Sequence, residues 1–107
     1  MAFPEYIDLA DALLSFVFLN GGEDKEVAAS STYEPLADFF ALTDAQRTVQ
    51  RPDGRAESFW HNRVQWARQR LINQGYMERR RHGWWGLTPA GELRAARIQA
   101  RFGRLRL

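Results

Sequence analysis

The stretch from Phe59 to Gly91, FWHNRVQWARQRLINQGYMERRRHGWWGLTPAG, leaves this chain few architectures to choose from. Within it Trp60, Val64, Ala67 and Leu71 recur at the spacing of a single helix face, which predicts a helix over residues 58–73 with Gly75 at its C-cap. Two short extended runs follow, Tyr76–Arg79 and Trp84–Leu87. Between them Arg80, Arg81, His82 and Gly83 form a turn in which the glycine can take a positive φ. A helix leading directly into a basic hairpin over 76–87 predicts a winged helix-turn-helix, mostly α with a small β-hairpin wing.

With the apolar stripe turned to a core, His61, Asn62, Gln65, Arg68 and Gln69 fall on another face, and no acidic residue interrupts it. Asn and Gln can bond adenine edges bidentately and Arg can do so with guanine, so these five are the candidate base-reading residues. A solvated helix face is the plainer alternative, but such faces usually mix in Glu or Lys. At the wing, Arg79, Arg80, Arg81 and His82 form a compact cationic tip that could reach phosphates or a minor groove. Strand alternation puts Trp85 with Leu87 on the core side. Trp84 is left on the outer face beside Gly86, to stack on a base or to pack against a neighbouring arginine. His61 and His82 carry no metal or catalytic expectation, because no Cys or paired His lies at ligand spacing.

The rest of the chain supports this unit. Pro4 can open a helix running to about residue 19 through Ile7, Ala10, Leu13, Leu14, Val17 and Phe18. Leu9 and Phe16 widen its apolar surface, which then lies under the C-terminal helix or forms a dimer contact. Gly21-Gly22 ends it, and residues 23–30 read as a polar connection. Ser31 with Glu34 offers a capping box for a helix over 32–42, and Thr43 with Gln46 offers another for a short turn that stops before Pro52. Arg47, Arg51 and Arg55 precede the reading helix as candidate phosphate clamps. Thr88 caps a last helix over 89–102, along which Arg94, Arg97 and Arg101 make a basic strip.

Charge separates the two halves. Lys25 is the only cation before Arg47, against nine carboxylates, whereas beyond that point all cations are arginine and four carboxylates oppose them. The formal net charge of +2 therefore hides a basic half suited to a polyanion. At 107 residues the chain is expected to be one domain over 1–107, and the absence of cysteine fits the cytoplasm. The apolar run 10–19 is too short to span a bilayer. No nucleophile elbow, phosphate loop or metal-ligand spacing appears, so neither enzymatic activity nor a cofactor is expected.

Asn62-Arg63-Val64, Trp66-Ala67, Leu71, Gly75-Tyr76-Met77, Gly83, Trp85, Leu87-Thr88 and Gly91 together resemble the N-terminal winged-helix domain of Mrr-type restriction endonucleases. The likeness spans about thirty residues and is looser upstream; Trp84 is an extra aromatic, and no nuclease domain is expected within these 107 residues. It implies a module that binds double-stranded DNA, often attached to a nuclease acting on modified DNA, with Trp84 as the surface that senses the modification. Arg55, Arg63, Arg70, Arg79, Arg80 and Arg81 would then neutralise phosphates. The alternative is a winged helix used for protein association or homodimerisation through Trp84, Phe59 and the wide face of the first helix.

Overall fold

The computed structural model describes residues 2–54 and 58–102, with side chains to residue 100. Helix α1 (Tyr6–Asn20) is followed by strand β1 (Glu26–Ala28), helices α2 (Tyr33–Phe39), α3 (Asp44–Thr48) and α4 (Phe59–Asn73), strands β2 (Met77–Arg81) and β3 (Trp84–Leu87), and helix α5 (Pro89–Phe102). The chain is mostly helical, with one small antiparallel sheet in the order β1-β3-β2, an arrangement compatible with a winged helix.

Helix α1 is the hub. Its residues Leu9, Ala10 and Ala12–Val17 are all buried, because α4 packs on one side of it and α5 on another. The wide apolar surface, Leu9 and Phe16 included, is thus covered within the domain. Each fully buried leucine here is worth roughly 1.5–3 kcal/mol. The helix starts at Tyr6, after an N-cap at Glu5, rather than at Pro4. Pro4 stays outside because its carbonyl is held by Arg63 of α4.

Strand β1 lies where only a polar connection is expected from sequence. Three residues are too few to show alternation, and the strand exists because β3 pairs with it, Val27 facing Trp85 across the ladder. Leu87 N–H donates to Lys25 O at 2.9 Å and Ala29 N–H to Gly83 O at 2.8 Å, closing both ends.

The Ser31 capping box does not form. Residues Ala29–Ser31 make a 3-10 turn, Ser31 Oγ donates back to Ala28 O, and Thr32 becomes the N-cap of α2 without a side-chain cap bond. The helix expected over 32–42 also ends early, at Phe39, because Ala41 adopts a left-handed φ of 54° that turns Leu42 into the core. The Thr43 and Gln46 box is present in both directions and starts α3. Gln46 is buried and also donates to Ala2 O at 2.8 Å.

Helix α4 buries Trp60, Val64, Ala67 and Leu71, the stripe legible in the sequence. Ser58 caps it, accepting from His61 N–H at 3.1 Å. It ends in a Schellman motif, with Gly75 at φ 82°, Gly75 N–H donating to Ile72 O and Tyr76 N–H to Leu71 O. The chain therefore enters β2 at a fixed angle to α4. Thr88 closes the unit by accepting from Gly91 N–H at the start of α5 while donating to Gly75 O.

Candidate nucleic-acid interface

One flank of α4 faces α2 and the wing. Trp60 ties α4 to α2 from below by donating its indole N–H to Tyr33 O at 2.8 Å. Above it the His61 ring stacks on Tyr33, centroids 3.9 Å apart, and Gln65 Nε2 donates to Tyr33 Oη at 3.1 Å. One turn on, the Arg68 guanidinium sits 5.3 Å from the Trp85 ring centroid. Arg79 projects from β2 toward the same flank and donates to Gln69 Oε1 at 2.7 Å, while Gln69 Nε2 donates to Asn73 Oδ1 at 3.0 Å. A wing cation thereby orders two amides of α4.

Between helix and wing these side chains line a groove of about 620 Å³, shared by Tyr33, Gln65, Arg68, Arg79, His82 and Trp84 among others. No carboxylate is among its described lining residues. Burial pulls the pKa of Arg68 below its ordinary value, and the like charge of Arg79 lowers it further. A guanidinium remains protonated under such a shift, so the cost is borne as positive potential in the groove. Arg68 Nε is buried and has no hydrogen-bond partner among the described residues.

The outer face of the wing behaves differently. A bulge between Arg79 and Arg81 puts Arg80 and Arg81 on the side of Trp84 and Gly86. Arg80 does not reach outward as a phosphate ligand would. It lies across the sheet over Gly86, donating to Leu87 O at 2.7 Å, to Asp24 O and to Glu78 Oε1 at 2.9 Å, with Glu26 at 3.7 Å. A Cβ on residue 86 would meet Arg80 Nε at 2.6 Å, so the glycine makes room for this crossing. Arg81 covers the Trp84 ring at 4.0 Å and pairs with Glu26 at 2.9 Å. Trp84 is therefore half-buried under an arginine rather than open to a base. His82 and Gly83, the latter at φ 78°, form the exposed tip.

Other expected phosphate ligands are also engaged inside the domain. Arg63 donates to Pro4 O at 2.7 Å and stacks on Tyr6, because α1 begins beside that turn of α4. Arg47 pairs with Asp38 at 2.7 Å and Glu34 at 2.9 Å, bonds that raise its pKa, and Arg51 pairs with Asp53 at 2.6 Å. Arg94 meets Asp11 at 3.4 Å. Arg55 lies outside the described residues. Arg70 stands exposed, and Asn62 is half-buried.

Two residues join this surface that sequence reasoning gave no site role. Tyr33 of α2 is the platform for His61 and Gln65. Trp66 is 57% exposed on α4. It lies four residues after Asn62 and three before Gln69, a spacing that already placed it on their stripe.

Comparison with known proteins gives the family of the chain. The sequence profile of the Mrr N-terminal domain matches residues 11–97, from α1 into α5. The chain belongs to the Mrr N-terminal domain family. No curated protein and no solved structure matches it. As an Mrr N-terminal domain it is a restriction-system-associated module, of a kind usually separate from the nuclease domain. Among the described residues no helix is long and apolar enough to cross a membrane, and no group of three His, Cys, Asp or Glu could hold a metal.

Proposed function

We propose that this Mrr N-terminal domain binds double-stranded DNA, with α4 in the major groove and the wing tip toward the adjacent minor groove. In such a pose one sugar-phosphate strand runs between helix and wing, along the groove whose described lining residues include no carboxylate. That groove is the observation that carries the proposal. Arg68 and Arg79, both on the wall of that groove, become phosphate ligands. Base edges fall to Asn62, Gln69 and Asn73 on the outward stripe, Gln69 being held in orientation by Arg79. Arg70, Arg81 and His82 supply further positive charge at the margins.

Fluorescence anisotropy against short duplexes at several salt concentrations tests this. Phosphate contacts from the four arginines Arg68, Arg70, Arg79 and Arg81 predict a slope of about −3.6 in log K against log salt, and Arg79→Ala should flatten it by about 0.9. No binding at low salt would overturn the proposal. Comparing methylated with unmodified duplexes of the same sequence tests whether modified DNA is the target, as the restriction-system relation motivates.

Protein association is the second use, and it rests on another surface. Ile7 and Leu93 stand 58% and 55% exposed around a concavity of about 470 Å³ shared by α1 and α5. A nuclease domain or a second copy of the chain is the partner such a surface suits. Its contact should respond little to salt.

A further inference from the structure

Trp66 is the anomaly on α4. The other three tryptophans are used: Trp60 and Trp85 close the core, and Trp84 lies beneath Arg81. Trp66 has 57% of its surface exposed near the middle of a helix whose neighbouring outward residues are Asn62, Gln69, Arg70 and Asn73. Nothing in the fold needs an indole there, and leaving it in water forgoes burial worth roughly 1.5–3 kcal/mol for a side chain of this class.

Its surroundings are specific. Trp66 and Tyr6 wall a shallow concavity of about 330 Å³, and Gln69, Arg70 and Asn73 complete the wall. Tyr6 is held in place by Arg63, whose guanidinium lies 4.2 Å from the ring centroid and which is itself bonded to Pro4 O. On the other side, the chain of hydrogen bonds from Arg79 through Gln69 to Asn73 holds two of the polar residues. The result is an apolar plate and a second ring, bordered by ordered amides and one exposed cation.

We infer that Trp66 is a specificity-determining residue that recognises the C5-methyl group of a pyrimidine in the major groove. This rests on the DNA-binding proposal above. The chemistry follows from what the groove displays. The C5-methyl is the one apolar group on the major-groove edge of a base pair, and it is read by apolar contact rather than by hydrogen bonds. An indole among amides can cover that methyl while Asn62, Gln69 or Asn73 bond the polar atoms of the same or the adjacent pair. Thymine and 5-methylcytosine present this group at the same position, so either can be its source.

Four 20-base-pair duplexes test it by fluorescence anisotropy at fixed salt: alternating A-T, the same with every thymine replaced by deoxyuridine, alternating G-C, and the same with every cytosine 5-methylated. Wild-type protein should bind a methyl-bearing duplex about fourfold more tightly than its methyl-free counterpart for each methyl covered. An effect confined to the A-T pair identifies thymine as the source, and one confined to the G-C pair identifies 5-methylcytosine. Trp66→Ala, at an exposed position, should keep its circular dichroism spectrum and the salt slope that the arginines set, while its affinity for each methyl-bearing duplex falls to that for the methyl-free counterpart. Wild-type binding that ignores the methyl in both pairs, or a preference that survives in Trp66→Ala, overturns the inference and leaves the DNA-binding proposal standing. Absence of salt-sensitive binding to every duplex overturns both.

Discussion

Replacing Arg80 with alanine separates the role its place in the sequence suggests from the role the fold gives it. From its place at a basic hairpin tip, Arg80 is a phosphate ligand whose loss weakens binding to every duplex alike. In the structure its guanidinium bridges three segments: Leu87 O in β3, Asp24 O ahead of β1, and Glu78 in its own strand. The bond to Leu87 O is partly buried, and a charged donor of this kind contributes about 1.5–3 kcal/mol. The pair with the exposed Glu78 and the longer one, 3.7 Å, with the half-buried Glu26 add about 1 kcal/mol between them. Arg80→Ala should therefore cost about 2–3 kcal/mol of stability, lowering Tm by roughly 8–20 °C in a domain of this size. Differential scanning calorimetry measures this directly, and the salt slope of DNA binding at a temperature where the variant is folded should stay within about 0.3 of wild type. Arg80→Lys is the control, since it keeps the charge but cannot reach three acceptors with a planar fork, so much of the Tm loss should persist. A variant with unchanged Tm and a slope flattened by about one would refute the structural role and restore the phosphate role.

Gly91→Ala tests the joint between α4, β2 and α5. Helix propensity alone predicts a gain of about 1 kcal/mol, yet an added Cβ would lie 1.9 Å from Tyr76 O, a backbone atom that also accepts from Thr88 N–H. Overpacking against backbone should win, with a net loss of about 2–4 kcal/mol in urea denaturation; a stabilised variant would show the joint to be looser than described. Arg63→Ala should destabilise by about 1–2 kcal/mol by releasing Pro4 O and uncovering Tyr6, while the salt slope stays unchanged. A flatter slope at unchanged stability would return Arg63 to the phosphate-binding set.

The features legible in the sequence are those governed by neighbours along the chain. The buried stripe of α4, its terminating Gly75, the Thr43 box and the positive φ of Gly83 all depend on residues within about one turn of each other, so local spacing determines them. What arginines do is not local. Arg81 finds Glu26 across 55 residues, Arg63 finds Pro4 across 59, and Arg80 finds Asp24 across 56. None of these separations leaves a periodic trace. Strand β1 is the same case in backbone form, three residues made into a strand only because β3 offers its edge. The sequence by itself determined a basic half, a helix with an amide-rich face and a hairpin behind it. Only the tertiary structure decided which cations are neutralised within the domain and which, Arg68 and Arg79, share a groove with no carboxylate among its described lining residues. The reason is that a charge is assigned by whatever the fold places within a few ångströms of it, and that distance is set by packing rather than by position in the chain.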